Sequence, residues 1–504
     1  MKKLLKIPCN KIALIFSFLF IMTFNLGNLQ TVNAETGGNI ADISEQVSLK
    51  WIVTGSGDQK DISLVEEEIN EYLEDKINAT VDITTYLWGD DFNNRITIMA
   101  AAGEPYDINF TSNWTAYYSN LASAGAFKDI TDMLDTYAPK TKAFLGKNIL
   151  KGAEVNGRVY AIPVYNSSIV DSCGIVVNNE LVKKYNIDIS KIKKIQDLEP
   201  ILKTVKSKDK KLIAFCPFDK YGNQSDIVNL LNYDVFTSDC PGAVLRDGKS
   251  TKVINEFETN DAKNLFSLMN KWYKAGYIPK SAPSGSQFFD SNKNNIFAMY
   301  SNITASTRDE MINYDMIDMV PVQLGNSALT TNGIRGAMQA ISSTSKNPER
   351  ALMFLELVNT DNTLSDMINY GIEGLHYERT GNNTITQLLQ DEYSYNPGTA
   401  WIFGNESIAS SLPGYSPERW NAQDKRLKTA VLSPLLGFEF DPSPVKDQVS
   451  KIYNIKNKYL SDLSLGKVNP TTTLSKMNSE MKKAGLQKIL TEMQKQVDKF
   501  KSRK

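Results

Sequence analysis

Apolar residues recur at every fourth position over Val65, Ile69, Leu73 and Ile77, directly after the turn cluster Gly55-Ser56-Gly57-Asp58-Gln59. That spacing places all four on one face of a helix, with Asp61 standing where a cap belongs. Short β-type runs flank it at 49–53 and 81–86. The next helical stretch, 96–102, stops at Gly103, and a third strand at 107–110 leads through Thr111-Ser112-Asn113-Trp114 into a helix over 117–125. Strand, polar turn and helix alternate, which predicts an α/β layered domain with a largely parallel sheet. Ligands of such sheets sit beyond the carboxyl ends of the strands. Here those ends are polar, and two of them carry a tryptophan.

The pattern breaks at 159–163, where an apolar run meets Pro163, and restarts at Cys173. Strands are predicted at 173–177, 212–215 and 296–299, and helices at 181–185, 197–205 and 262–275. A second apolar run, 319–322, contains Pro321 and breaks in the same way. A strand at 338–342 and a helix at 348–358 follow. Proline fixes φ and biases the preceding residue towards extended backbone. The two breaks therefore mark strand-like connectors, with Pro163 and Pro321 as hinge positions. Residues from about 165 to 322 form a second lobe inserted between 35–164 and about 323–380. The remainder, about 381–504, is largely helical and packs on the lobes. Ser443-Pro444 opens one helix with a face of Val445, Val449, Ile452, Ile455 and Tyr459, and the stripes Leu474-Met477-Met481 and Ile489-Met493-Val497-Phe500 continue beyond it.

The first 34 residues stand apart. Four lysines precede a thirteen-residue, mainly apolar run over 12–24, shorter than the roughly 20 residues that span a bilayer, and Val32-Asn33-Ala34 fits a small-residue cleavage site. A secretory signal peptide cleaved after Ala34 is expected. The whole chain has 57 acidic against 56 basic residues, and loss of the leader's four lysines leaves it more acidic. No basic stripe marks a nucleic-acid binder. Cys173, Cys216 and Cys240 remain, open to one bridge or three buried thiols. One histidine, His376, leaves little room for a histidine-based zinc site, and it reads as structural. Glu66-Glu67-Glu68 reads as a solvated helix face. No phosphate-binding G-x-x-x-x-G-K-[ST] loop and no EF-hand loop is present. No cofactor and no metal is expected, and no pair of carboxylates stands out as a glycosidase couple.

Five motifs together carry a resemblance: AAAGEPYDI (100–108), NGRVYAIP (156–163), STSKNPERALMFLELVNTD (343–361), YGIEGLHYE (370–378) and LLGFEFDPSPVK (435–446). In this order they resemble the extracellular solute-binding proteins of carbohydrate ABC importers in Gram-positive bacteria, in the LplA-like, aldouronate-transport-like subgroup with its own C-terminal domain. The resemblance implies a two-lobe fold of the periplasmic-binding-protein type II class, with an interlobe cleft and a helical C-terminal extension. It implies a monomer that is not an enzyme, binds an oligosaccharide, uronic acids included, and hands it to permease subunits encoded elsewhere. A sugar sensor for a membrane kinase would use the same fold, and a secreted glycoside hydrolase is the enzymatic alternative. The lipobox cysteine of that subgroup is absent: Glu35 follows Ala34. An extracellular, surface-associated protein without a lipid anchor is expected.

A sugar site needs aromatic faces and side chains that donate and accept hydrogen bonds. At the strand ends the candidates are Asp58, Gln59, Trp88, Asn113, Trp114 and Tyr117, with Trp114 and Tyr117 placed for ring stacking. Tyr165 and Asn166 sit at the first crossover. Tyr300 and Asn302 end a strand of the inserted lobe. Asn332 and Arg335 follow the return, where Arg335 offers a planar fork for a carboxylate. Trp401, and with less support Trp420, lies in a Gly/Pro-rich loop that can cap a cleft.

Overall fold

The computed structural model describes residues 42–502 apart from 247, 249, 281–285, 382, 389–393 and 398–399. The expected leader, with Cys9, Ala34 and Glu35, lies outside the described residues. The first sheet has the strand order Ala79–Leu87, Val47–Gly55, Ile108–Thr111, Met338–Ile341, Ala161–Pro163. Its first three strands are parallel, as the alternating pattern predicts. The last two each run antiparallel to their neighbour, because they belong to the chain's departure and return. Helix Ile62–Ile77 buries the four residues of the initial repeat. Trp51 lies fully buried at the centre, edge-on to Phe354 and Phe403, and its indole N–H donates to Gln339 Oε1 at 2.9 Å. The same core takes in Tyr395, Ile402, Phe403 and Leu436, so part of the region expected to be C-terminal packing belongs to the first layer.

The second sheet has the order Met319–Gln323, Cys173–Asn178, Ile296–Asn302, Ile213–Cys216 and mixes antiparallel with parallel pairings. Its core gathers Phe215, Phe297 and Trp272, the last edge-on to Phe215 at 5.2 Å. Cys173, Cys216 and Cys240 are three buried free thiols.

The chain passes between the sheets at three places, one more than the two proline breaks predict: around 164–172, 324–330 and 430–437. The three strands of this bridge are laced together. Asp171 and Ala328 exchange both backbone hydrogen bonds at 2.8 Å, and the Val431 and Ser433 amides donate to the carbonyls of Ser327 and Leu329. Pro163 ends an edge strand opposite Met338. Pro321 lies inside the other edge strand, paired with Val176. An edge position tolerates a residue without an N–H, so the pivot expected at Pro321 falls within the sheet and the crossover begins after Gln323.

Helices Lys446–Ser464, Pro470–Lys483 and Leu486–Lys501 form a further core with Phe257, Phe266 and Val244, on the side of the second sheet. The close approach is made at Gly466, whose φ is +74° and where a Cβ would stand 2.2 Å from the carbonyl oxygen of Met269. The glycine of YGIEGLHYE has a similar reason. Gly371 (φ +85°) leaves space for the ring of His376, whose Nδ1 a Cβ would meet at 2.6 Å. That ring accepts from the Ile372 amide at 3.0 Å, and its Nε2 faces Asp61 at 3.3 Å. His376 is structural, as the sequence suggests.

Candidate functional site

Parallel strands deliver their carboxyl ends to one edge of a sheet, and there three tryptophans meet. Trp88 follows the strand Ala79–Leu87. Trp114 is presented by a tight loop in which Ser112 Oγ accepts from the amides of Trp114 and Thr115 at 3.2 and 2.9 Å. Trp401 comes from the far segment. The rings of Trp88 and Trp401 stack at 5.5 Å with 5° between planes, and Trp114 leans on both at 6.0 and 6.2 Å. Buried Phe110 supports Trp114 and Trp401 from beneath. Trp114 is fixed further by its indole N–H, which donates to the Gly336 carbonyl at 2.8 Å. All three tryptophans stay 36–44% exposed. A wall of indoles held rigid yet left wet suits the flat C–H face of a pyranose.

The wall borders a cavity of about 690 Å³ between the two halves. Trp114, Trp401, Asn166 and Asn332 line it on the side of the first sheet. Lys220, Tyr221, Glu310 and Tyr314 line it on the side of the second. Asn369, Tyr370, Glu406, Tyr415 and Arg419 close it from the segment that precedes the third crossing. A second cavity of about 650 Å³, lined by Asn302, Asp226, Asp234, Arg246 and Lys456 among others, shares Ser168, Asp171 and Asn332 with the first.

The charges of the main cavity are unevenly matched. Lys220 is paired with Asp315 at 2.8 Å. Arg419 lies against Tyr415 and Trp420 and donates to Ser411 Oγ at 2.7 Å. Burial, and then the neighbouring Glu310, pushes the Glu406 carboxyl up to about 7, and burial likewise raises Glu310. Among the described residues Glu406 accepts a single long hydrogen bond, 3.3 Å, from the Ser167 amide. Asn369, 7% exposed, gives its Nδ2 to Ser365 while its Oδ1 has no partner among the described residues.

Among the sequence candidates the structure brings Trp88, Trp114 and Trp401 into one wall, sets exposed Tyr117 three residues from Trp114, and places Asn166 and Asn332 on the cavity. Asn113 is exposed beside them, its Nδ2 donating to the Asn332 carbonyl. Asn302 lines the second cavity only. Asp58 is exposed and lines neither cavity.

Four candidates are turned inward instead. Gln59 is 5% exposed and ties Gly57 to Asn396. Tyr165 is 2% exposed, with its hydroxyl on Asp424 and its ring against Phe144 and Trp420. Tyr300 is fully buried between Asn229 and Asn302. Arg335 is no ligand clamp: it donates to the carbonyls of Gly152 and Glu154, to Ser119 and to Glu439, against the ring of Tyr118. Its donors are spread over four separate acceptors, all of them the protein's own. Glu66, expected on a solvated face, reaches the amide of Ile83 at 2.6 Å.

Sequence reasoning missed Lys220, Tyr221, Glu310 and Tyr314 from the second half and most of 369–419. One signal was present for the latter: tyrosine, proline and glycine crowd the stretch around Tyr395, Trp401 and Tyr415.

Comparison with known proteins agrees with this architecture. The pattern of the bacterial extracellular solute-binding proteins matches residues 68–375, and a domain of unknown function, DUF3502, matches 434–502. A carbohydrate ABC transporter substrate-binding protein of Streptococcus pneumoniae is 30% identical over 452 residues, 86% of each chain. The crystal structure of the N-glycan transport solute-binding protein NgtS from Streptococcus pneumoniae superposes with a TM-score of 0.80 at 27% identity, covering 91% of this chain and all of that one. The alginate-binding protein AlgQ2 shares the fold, with a TM-score of 0.59 at 18% identity and coverage of 90% of this chain and 98% of that one. The chain belongs to the bacterial extracellular solute-binding proteins, the carbohydrate-binding receptors of ABC importers.

Proposed function

We propose that this protein is the substrate-binding subunit of an ABC importer and captures an oligosaccharide in the cleft between its two lobes. The observation that carries the reading is the wall of Trp88, Trp114 and Trp401 at the mouth of a cavity that both halves line. Lobe 1 comprises the first sheet and lobe 2 the second, with the C-terminal helices on lobe 2. A glycan that touches both lobes favours the closed arrangement. Shifting the balance from 1:99 to 99:1 takes about 5.5 kcal/mol of differential affinity, within reach of several stacked sugars and their hydrogen bonds.

The comparisons support a lobe movement. This structure superposes on NgtS at a TM-score of 0.80 in one form, and at 0.68 and 0.65 in the forms bound to Man1GlcNAc and Man5GlcNAc, at 26–27% identity throughout. An open, receptive arrangement here accounts for that order. The protein acts by binding alone and leaves the glycan intact. No helix among the described residues is long and apolar enough to cross a membrane; in this reading the permease and ATPase are separate chains. In this reading the leader is cleaved after Ala34 and the protein acts outside the cell.

The test is a thermal-shift panel of oligosaccharides, followed by calorimetry and chromatography of the recovered sugar. One glycan class is expected to raise the melting temperature and to be recovered uncut. Trp114→Ala is expected to weaken its binding. Release of new reducing ends, or no response to any glycan, would overturn the reading.

A further inference from the structure

The cavity has an excess of acceptors over available cations. Glu310 and Glu406 come from opposite walls. Glu310 sits on the helix Thr307–Asn313, beside the second sheet. Glu406 follows Phe403, which is anchored in the first core. Both line the same cavity, and the charge of Glu310 disfavours ionisation of Glu406. The groups around them do not cancel the charge. Lys220 faces Glu310, but its ammonium is already bound to Asp315. Asp309 and Asp315 add negative charge on the same side. Arg419 faces Glu406 with its guanidinium laid on two aromatic rings and one amino group given to Ser411. Asp171 adds a third carboxylate, engaged with the Thr330 hydroxyl. Independently of these charges, Asn369, which lines the same cavity, holds a buried carbonyl oxygen without a donor among the described residues. Buried acceptors in native proteins are normally satisfied.

We propose that Glu310 and Glu406 form a cross-lobe carboxyl pair that grips the hydroxyl groups of an uncharged glycan, with Asn369 as a further acceptor, and that makes the cleft reject glycans bearing carboxylates. This rests on the reading of the cleft as a glycan site. A sugar diol donates two hydrogen bonds and brings no charge, so it satisfies a carboxylate that has no cation of its own. A uronate brings a further negative charge to a cavity that already holds Glu310, Glu406 and Asp171, with the Arg335 fork sealed in the interior and the Arg419 guanidinium laid on two aromatic rings. Charge mismatch of this kind discriminates between partners more than it adds affinity. The pair also ties recognition to closure, since a glycan held by both carboxyls bridges the lobes.

Hydroxyl donors favour the ionised carboxylate. Burial, and then Glu310, pushes the Glu406 carboxyl up to about 7. Affinity for a neutral glycan should therefore fall as pH drops from 8 towards 5.5, with protons released on binding near neutrality.

The experiment uses a matched pair of ligands and calorimetry on the whole protein. The probes are Man5GlcNAc, or whichever neutral oligosaccharide gives the largest thermal shift, and the same compound with its primary hydroxyls oxidised to carboxylates. On the unaltered protein the oxidised form should bind roughly 30-fold or more weakly, the scale of like-charge exclusion. In the Glu310→Gln/Glu406→Gln double variant the gap should shrink to a few-fold and the pH dependence should flatten, with the fold checked by its melting temperature. Loss of neutral-glycan binding in a double variant that still melts cooperatively supports the gripping role. Equal binding of the two forms by the unaltered protein overturns the proposal, as does a gap or pH profile that the double variant leaves intact. Failure of every oligosaccharide to bind strikes instead at the glycan-binding reading itself.

Discussion

Replacing Trp401 by alanine probes the aromatic wall where it is most connected. The ring stacks on Trp88, leans on Trp114 and meets Phe110 edge-on at 6.4 Å. Three ring contacts at about 0.5–1.5 kcal/mol each set the ceiling on the stability they supply. Because Trp401 is 36% exposed and Phe110 keeps its other neighbours, the loss for the empty protein should lie near the bottom of that range, about 1–2 kcal/mol. The loss in binding should be larger. Truncating a central aromatic anchor costs about 2–4 kcal/mol, or roughly 30- to 1,000-fold in Kd. Trp88 would lose its stacking partner, whereas Trp114 would stay in place through its bond to the Gly336 carbonyl. Trp401→Phe restores a flat face and should recover most of the affinity. Calorimetry with the glycan that stabilises the protein, beside melting of the empty variants, separates the two effects. If Trp401→Ala binds within twofold of the unaltered protein while melting a few degrees lower, the wall is a packing feature and not a sugar platform.

Two further outcomes concern buried charge away from the wall. Glu256 is 5% exposed, accepts from the Gly242 amide at 3.0 Å and is pushed up to about 7 by burial. A carboxyl raised from an ordinary 4.5 is a burden that is absent below pH 4.5, grows through the window to about 7 and is constant above it, with a ceiling of about 3 kcal/mol. Lys456 nearby offsets part of it, so Glu256→Gln should melt higher than the unaltered protein at pH 8 and converge with it near pH 4.5; a lower melting temperature at pH 8 would show that the ionised pair is net stabilising. Arg335→Leu strips donors from the Gly152 and Glu154 carbonyls, at about 1–3 kcal/mol for each acceptor left unsatisfied, and returns half-exposed Glu439 to solvent, while glycan affinity at low temperature stays unchanged; weakened binding at an unchanged melting temperature would return Arg335 to the site.

What the sequence disclosed and what it hid follow from the range of the interactions concerned. Val65, Ile69, Leu73 and Ile77 announce their helix because one buried face is a local property with a local period. Trp88 and Trp114 were legible for a related reason. Parallel strands bring their ends to one edge, and a large ring placed there in a polar loop has little to gain from exposure alone. That Trp401 joins them depends on long-range packing, since its neighbours Ile402 and Phe403 enter the first core, ahead of a third passage between the sheets where Val431 and Ser433 add to the backbone of Ser327 and Leu329. Arg335 shows the complementary limit. Its chemistry was read correctly as a planar double donor, but an arginine that clamps a ligand and one that clamps buried carbonyls have the same sequence signature. Glu310 is the hardest case. On a short helix among polar neighbours it looks like any solvated acid, and it becomes distinctive only when Glu406, 96 positions further along the chain, is carried across to face it. Residues whose role depends on a partner in the other lobe are silent in a linear reading, and on the proposed reading of the cleft these are the residues that set selectivity.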